Sequence, residues 1–117
     1  MANTVKAVTA DYNSTGSGAR IITGTLGADG TLVVGEDFET AVAVSIQLTG
    51  TFNSSVQTVQ VSNDGSTYAA LPTTVSFSAA GYKTVALADL GFRFLQFSGA
   101  SAGGSSNIAF TVVAIYP

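Results

Sequence analysis

Residues Val44 to Pro72, VSIQLTGTFNSSVQTVQVSNDGSTYAALP, decide the fold. Just upstream and into this stretch, Val42, Val44, Ile46 and Leu48 point one way while Ala43, Ser45 and Gln47 point the other. That period of two marks a strand buried on one face. A second such run, Val56-Gln-Thr-Val-Gln-Val, follows the turn Gly50-Thr-Phe-Asn-Ser-Ser55. It ends at Ser62-Asn-Asp-Gly65, a tight turn built from residues that tolerate positive φ. Tyr68 and Leu71 come next, before Pro72.

Outward from this stretch the same period recurs. In Asn107–Tyr116, Ile108, Phe110, Val112, Ala114 and Tyr116 alternate with Ala109, Thr111, Val113 and Ile115. Both sets are fairly apolar, which predicts a central or doubly covered strand. Gly91–Ser98 puts Phe92, Phe94 and Gln96 on one face and Arg93, Leu95 and Phe97 on the other. Shorter runs lie at 4–9, 20–26, 31–34, 56–62, 73–78 and 82–87. Gly27-Ala-Asp-Gly30 predicts a hairpin between two of them, and Ala88-Asp-Leu-Gly91 predicts one helical turn. Ser98–Ser106, SGASAGGSS, is a Gly/Ser loop with little side chain to pack. No stretch of 12 or more residues keeps helical period. About nine short strands, closely spaced, predict an all-β chain: a single antiparallel β-sandwich, jelly-roll-like rather than immunoglobulin-like. The absence of Trp and Cys removes the antibody-domain hallmarks.

The first twenty residues differ in texture. Asp11-Tyr-Asn-Ser-Thr-Gly-Ser-Gly-Ala19 is rich in turn-formers and separates a short strand-like run from the rest. The expected organisation is therefore an N-terminal strand or arm with a flexible loop at 1–19 and a sandwich domain at 20–117. Such a run either opens the sandwich or adds a strand to a neighbouring subunit's sheet.

Composition sets the surface. The chain has 117 residues and 46% hydrophobic side chains, enough for one core, but only 9% are charged. Soluble domains ordinarily carry about 25%. The exterior is left to Ser, Thr, Gly, Ala, Asn and Gln, with little repulsion to keep copies apart. This composition favours a protein that lives covered by neighbours. The net charge of −3, with Lys6, Arg20, Lys83 and Arg93 scattered, argues against nucleic acid. No signal peptide is expected from the N-terminal residues. No apolar run approaches the roughly 18 residues a spanning helix needs, so no membrane partner is expected.

Catalytic chemistry is scarce. Without His or Cys there is no neutral-pH imidazole base, thiol nucleophile or Ser-His-Asp triad. A glycosidase needs only two carboxylates, and the candidates are Glu36-Asp37-Phe38-Glu39, Asp64 and Asp89. The first set is one local loop, expected to be solvated. It is also the best candidate for calcium, which wants six to eight oxygens, but it lacks EF-hand spacing. Asp29-Gly30 and Asp64-Gly65 are accounted for by turn chemistry. The expectation is a non-enzyme with no cofactor and no metal.

The pattern in Val44–Pro72 (apolar strand, Gly-Thr-aromatic, strand, Ser-Asn-Asp-Gly, aromatic, Leu-Pro) resembles a small β-sandwich module of tailed-bacteriophage structural proteins. It is similar as well to the middle of galactose-binding-like jelly rolls. The resemblance spans about 30 of the 117 residues. It implies a virion protein on the outer surface of the capsid: a decoration (cement) protein, as a homotrimer bridging neighbouring major capsid protein subunits. Thr4, Val5, Lys6, Val8 and the adjoining Tyr12 are the expected contact residues. The alternative it implies is a tail- or fibre-associated receptor-binding module. There Tyr12, Tyr68, Tyr82, Phe52 and Asn63 would hold a glycan, although Tyr68 falls where an aromatic packs beneath the turn.

Overall fold

The computed structural model describes residues 4–14, 17–26, 30–35, 38–100 and 107–117, with residues 4–14, 17 and 30 described by backbone alone. These form ten strands: β1 Thr4–Ser14, β2 Ser17–Leu26, β3 Gly30–Gly35, β4 Ala43–Thr51, β5 Val56–Ser62, β6 Ala69–Ala70, β7 Ser76–Phe77, β8 Gly81–Thr84, β9 Phe94–Ala100 and β10 Asn107–Tyr116. One sheet has the order β1-β2-β10-β4-β8, the other β3-β9-β5-β6 with β7 also on β5. Every pairing is antiparallel, and the two sheets form a jelly-roll-like sandwich.

Alternation does what period two requires. Val44, Ile46 and Leu48 of β4 point into the core beside Ile108, Phe110, Val112 and Ala114 of β10. Leu95 and Phe97 of β9 and Val59 of β5 meet them from the other sheet. The rings of Phe97 and Phe110 stand 5.2 Å apart, tilted, and join the two layers. Phe38 and Phe92 make a second pair at 5.8 Å. Burying each such side chain contributes about 1.5–3 kcal/mol, so this layer supplies most of the driving force. β10 is paired along its length on both sides, by β2 and β4, as its two apolar faces predict.

The chain crosses between sheets at short, chemically specific corners. From β4 to β5 it turns at Phe52–Ser55, closed by the Ser55 amide donating to the Phe52 carbonyl at 2.8 Å. Asn53 and Ser54 take φ of 47° and 68° there, while Phe52 plugs into the core. Gly50, at φ 108°, is required at this corner because a Cβ would strike the Asn107 backbone oxygen.

Several expectations are corrected. β2 and β3 lie in different sheets, so no hairpin joins them. The reason is that both edges of β2 are already taken, by β1 and β10. Residues 27–29 themselves lie outside the described residues. The turn-rich run 11–19 is largely strand: β1 continues to Ser14, which pairs Ser17 of β2. The tertiary partner overrides the weak β propensity of Asn, Ser and Gly. The run 73–78 shrinks to Ser76–Phe77, and 82–87 yields Gly81–Thr84, since the chain then enters a 3-10 turn at Leu87–Asp89. That turn is the helical one the sequence predicts. β6 was unanticipated, because Ala69-Ala70 has no strand signature.

Candidate functional site

Ser62 and Asp64 build the turn after β5. Asp64 Oδ1 accepts from the Ser66 and Thr67 amides and from the Ser62 hydroxyl, each at 2.9 Å. Ser62 Oγ in turn accepts from the Asp64 and Gly65 amides at 3.2 and 3.0 Å. The Thr67 amide, then the Ser66 amide and the Ser62 hydroxyl, hold the Asp64 carboxyl down from 3.8 to about 2. Gly65, at φ 81°, leaves room for the ring of Phe94, which a Cβ would meet at 3.1 Å. Phe94 is thus the aromatic beneath the turn, a place the sequence assigns to Tyr68. Tyr68 is half-buried, and that burial, followed by the charge of Asp64, pushes its hydroxyl above its ordinary pKa.

Beside the turn runs an open groove of about 470 Å³. Leu71 and Phe92 form its floor, with Asn63, Thr67 and Asp89 on the rim. Asp89 Oδ2 accepts the Thr73 amide at 2.8 Å, so this carboxylate is spent on fixing a loop. Among the described residues, no group of three acidic side chains is placed to hold a metal ion. Of the acidic run, Glu36 and Asp37 lie outside the described residues, Phe38 is buried in the core and Glu39 is exposed.

A second groove, of about 270 Å³, lies on the outer face of the first sheet at its β8 edge. Val42, Val113, Ile115, Tyr82 and Leu87 line it, among others. Register places Val113 beside Ser45 and Ser45 beside Thr84, with Thr111, Gln47 and Tyr82 forming the next row. Six large hydrophobic side chains are exposed among the described residues, and Val42, Tyr82, Leu87 and Ile115 of them line this one groove. Tyr82 is 64% exposed and Leu87 79%. Among the described residues, no charged side chain lines it. A mostly apolar concavity without charge among its described lining suits another protein surface better than a polar substrate.

The sequence-predicted contact residues fall together. Thr4, Val5, Lys6, Val8 and Tyr12 all belong to β1, the opposite edge of the same sheet. The β1–β2 register shifts between Thr4 and Val8, a bulge-type irregularity common at sheet edges. The side chains of these five lie outside the described residues. Of the five glycan candidates, Tyr12 has its side chain outside the described residues, and the other four do not converge. Phe52 is buried and is no platform, Tyr82 belongs to the apolar groove, and Asn63 and Tyr68 flank the Asp64 turn. Sequence reasoning missed Leu87 and misplaced Val42, which alternation sets on the core face with Val44, Ile46 and Leu48 but which lies just ahead of β4 and is exposed. It found Ile115 only indirectly, through the second apolar face of the last strand.

No family model matches this chain, and no curated protein matches its sequence. By shape it matches solved structures. The subunit of the disulfide-linked pili of Bacillus endospore appendages aligns at TM-score 0.51 and 15% identity, over 100% of this chain and 96% of that one. The SPBc2 prophage-derived protein YomS aligns at 0.48 and 15% identity, over 97% of each chain. A family 29 carbohydrate-binding module from Piromyces equi aligns at 0.49 and 10% identity, over 97% of this chain and 89% of that one. The chain therefore has the sandwich fold of the appendage subunit, and it is the fold alone that this likeness shows.

Proposed function

We propose that this chain is a structural subunit of a surface assembly: a decoration protein on the outside of a phage capsid, present as a homotrimer that bridges neighbouring major capsid subunits. The observation that carries this is the uncharged apolar groove at the β8 edge, where Val42, Tyr82, Leu87 and Ile115 stand exposed. A monomer gains nothing from leaving them in water, whereas an interface of about 800 Å² per partner gains from covering them. The sheet is also open at both margins, with β1 on one side and β8 on the other. Each margin offers unpaired backbone groups to an added strand. The low charge supports the same reading, because shell contacts repeated many times need only modest strength each. The appendage subunit with this fold assembles into disulfide-linked pili. This chain has no cysteine, so its own contacts use no disulfide.

The test is oligomeric state by light scattering and native mass spectrometry at micromolar concentration, followed by co-sedimentation with shells of the major capsid protein. Trimers that bind shells, and a Val42→Asp/Leu87→Asp variant that folds but neither associates nor binds, are expected. A wild-type monomer indifferent to shells overturns the proposal. Binding to tail or fibre proteins instead would move the subunit to that part of the virion.

A further inference from the structure

The outer face of the second sheet is chemically unlike the groove just described. Cross-strand register puts Val33, Gln96, Gln60 and Ala70 in one row, and Thr31, Ser98, Thr58 and Ser76 in the next. Neither row contains a charged residue, and hydroxyls and amides outnumber apolar groups. At the centre Gln96 Nε2 donates to Gln60 Oε1 at 2.7 Å. The Thr58 and Ser76 hydroxyls face each other at 3.5 Å. One row further along, Phe94 is half-buried, with the Arg93 guanidinium 5.3 Å from its ring centroid.

Gln96 is the unusual member. It points outward from the sheet yet is only 7% exposed, and its bond to Gln60 uses one of the four hydrogen bonds an amide can make. Its carbonyl oxygen has no hydrogen-bond partner among the described residues. Turning both amides over exchanges the roles and still leaves one acceptor and one donor side by side. Buried amide groups ordinarily have partners, so an unfilled acceptor next to an unfilled donor marks a place for a ligand carrying both. Adjacent hydroxyls on a sugar ring do so. An anionic ligand finds no cation in the two rows and a cationic one no carboxylate, and the face has too few apolar groups for a protein contact core.

We propose that this face binds a neutral glycan, with Gln60 and Gln96 gripping adjacent hydroxyls and Thr58 and Ser98 contacting the next sugar along the row. Recognition is by hydrogen bonds, since Phe94 already packs against Gly65 and Arg93. The site is independent of whether the subunit trimerises or decorates a shell.

The test is NMR titration of the full chain with cellohexaose, mannohexaose and a galactan oligosaccharide at millimolar concentration, following the Gln60 and Gln96 side-chain NH₂ signals. Saturable shifts at these signals with at least one sugar are expected. Gln96→Leu should weaken binding tenfold or more, while Asn63→Ala and Tyr82→Ala leave it unchanged. Should Gln96→Leu fail to fold, Gln60→Ala, checked by its melting temperature, asks the same question. The proposal is overturned by the absence of saturable shifts with any of the three. Shifts centred on Tyr82 or Asn63 overturn it too, as does affinity unchanged in both Gln variants. Signals of Gln60 and Gln96 that move with protein concentration in the absence of sugar would assign the face to a second copy and overturn it equally.

Discussion

Two residues test the local physics. Gly50 combines φ of 108° with contact against the Asn107 backbone, so Gly50→Ala should cost roughly 2–4 kcal/mol in denaturant unfolding. Most of that comes from the clash, because Asn107 and Ile108 belong to the central strand and cannot withdraw. Asp64 tests linkage. Its carboxyl ionises at about 2 in the folded protein against 3.8 for an ordinary aspartate, so the folded state favours the ionised form. The stabilisation it contributes is fully present above about pH 4 and is lost as pH falls towards 2. Asp64→Ala should therefore lower the melting temperature at pH 6, and the difference from wild type should shrink at pH 2.5. A ¹³C titration of the carboxyl that gives an ordinary aspartate value would remove the basis for this prediction.

At the scale of elements, the contact between layers matters more than any single sheet. Phe97 of β9 and Phe110 of β10 meet across the sandwich, each almost completely buried. Phe97→Ala should cost about 3–5 kcal/mol, the usual range for an aromatic replaced by a cavity. Phe97→Leu should recover much of that, since it refills the volume. An equal loss in both would point to ring geometry rather than volume. The edge elements behave oppositely. β8 is four residues long and wholly exposed, so Tyr82→Ala should leave the melting temperature of the isolated subunit nearly unchanged. If the β8 edge is an interface, the same substitution should weaken association.

For the whole molecule, the near absence of charge makes a prediction about salt. Association through the β8-edge groove should vary less than about threefold between 0.05 and 0.5 M NaCl, because screening acts on charges that are scarce here. A steep loss of oligomer with salt, followed by light scattering, would implicate Lys6 and Asp11, the charged residues of β1, instead. Under the two proposals the outer faces would divide the work: apolar contacts on the first sheet for protein, and the amide and hydroxyl rows on the second for sugar.

Period two in Val44–Pro72 and Asn107–Tyr116 was enough to establish an all-β sandwich, the central position of the last strand and most of the side chains that enter the core; Val42, set on the core face by the same alternation, lies ahead of β4 and is exposed. Those properties follow from alternation, and alternation is local. The Asp64 turn was legible for the same reason, since its hydrogen bonds all fall between Ser62 and Thr67. Sheet membership was not legible. Gly27–Gly30 looks like a hairpin, but β2 had no free edge, and only the pairing of strands far apart in sequence fills an edge. The surfaces proposed to function share that origin. Val42, Tyr82, Leu87 and Ile115 come from four separate segments, and Gln60 and Gln96 stand 36 residues apart. Their juxtaposition exists only once the strands are in register, which is why the tertiary structure alone decided it.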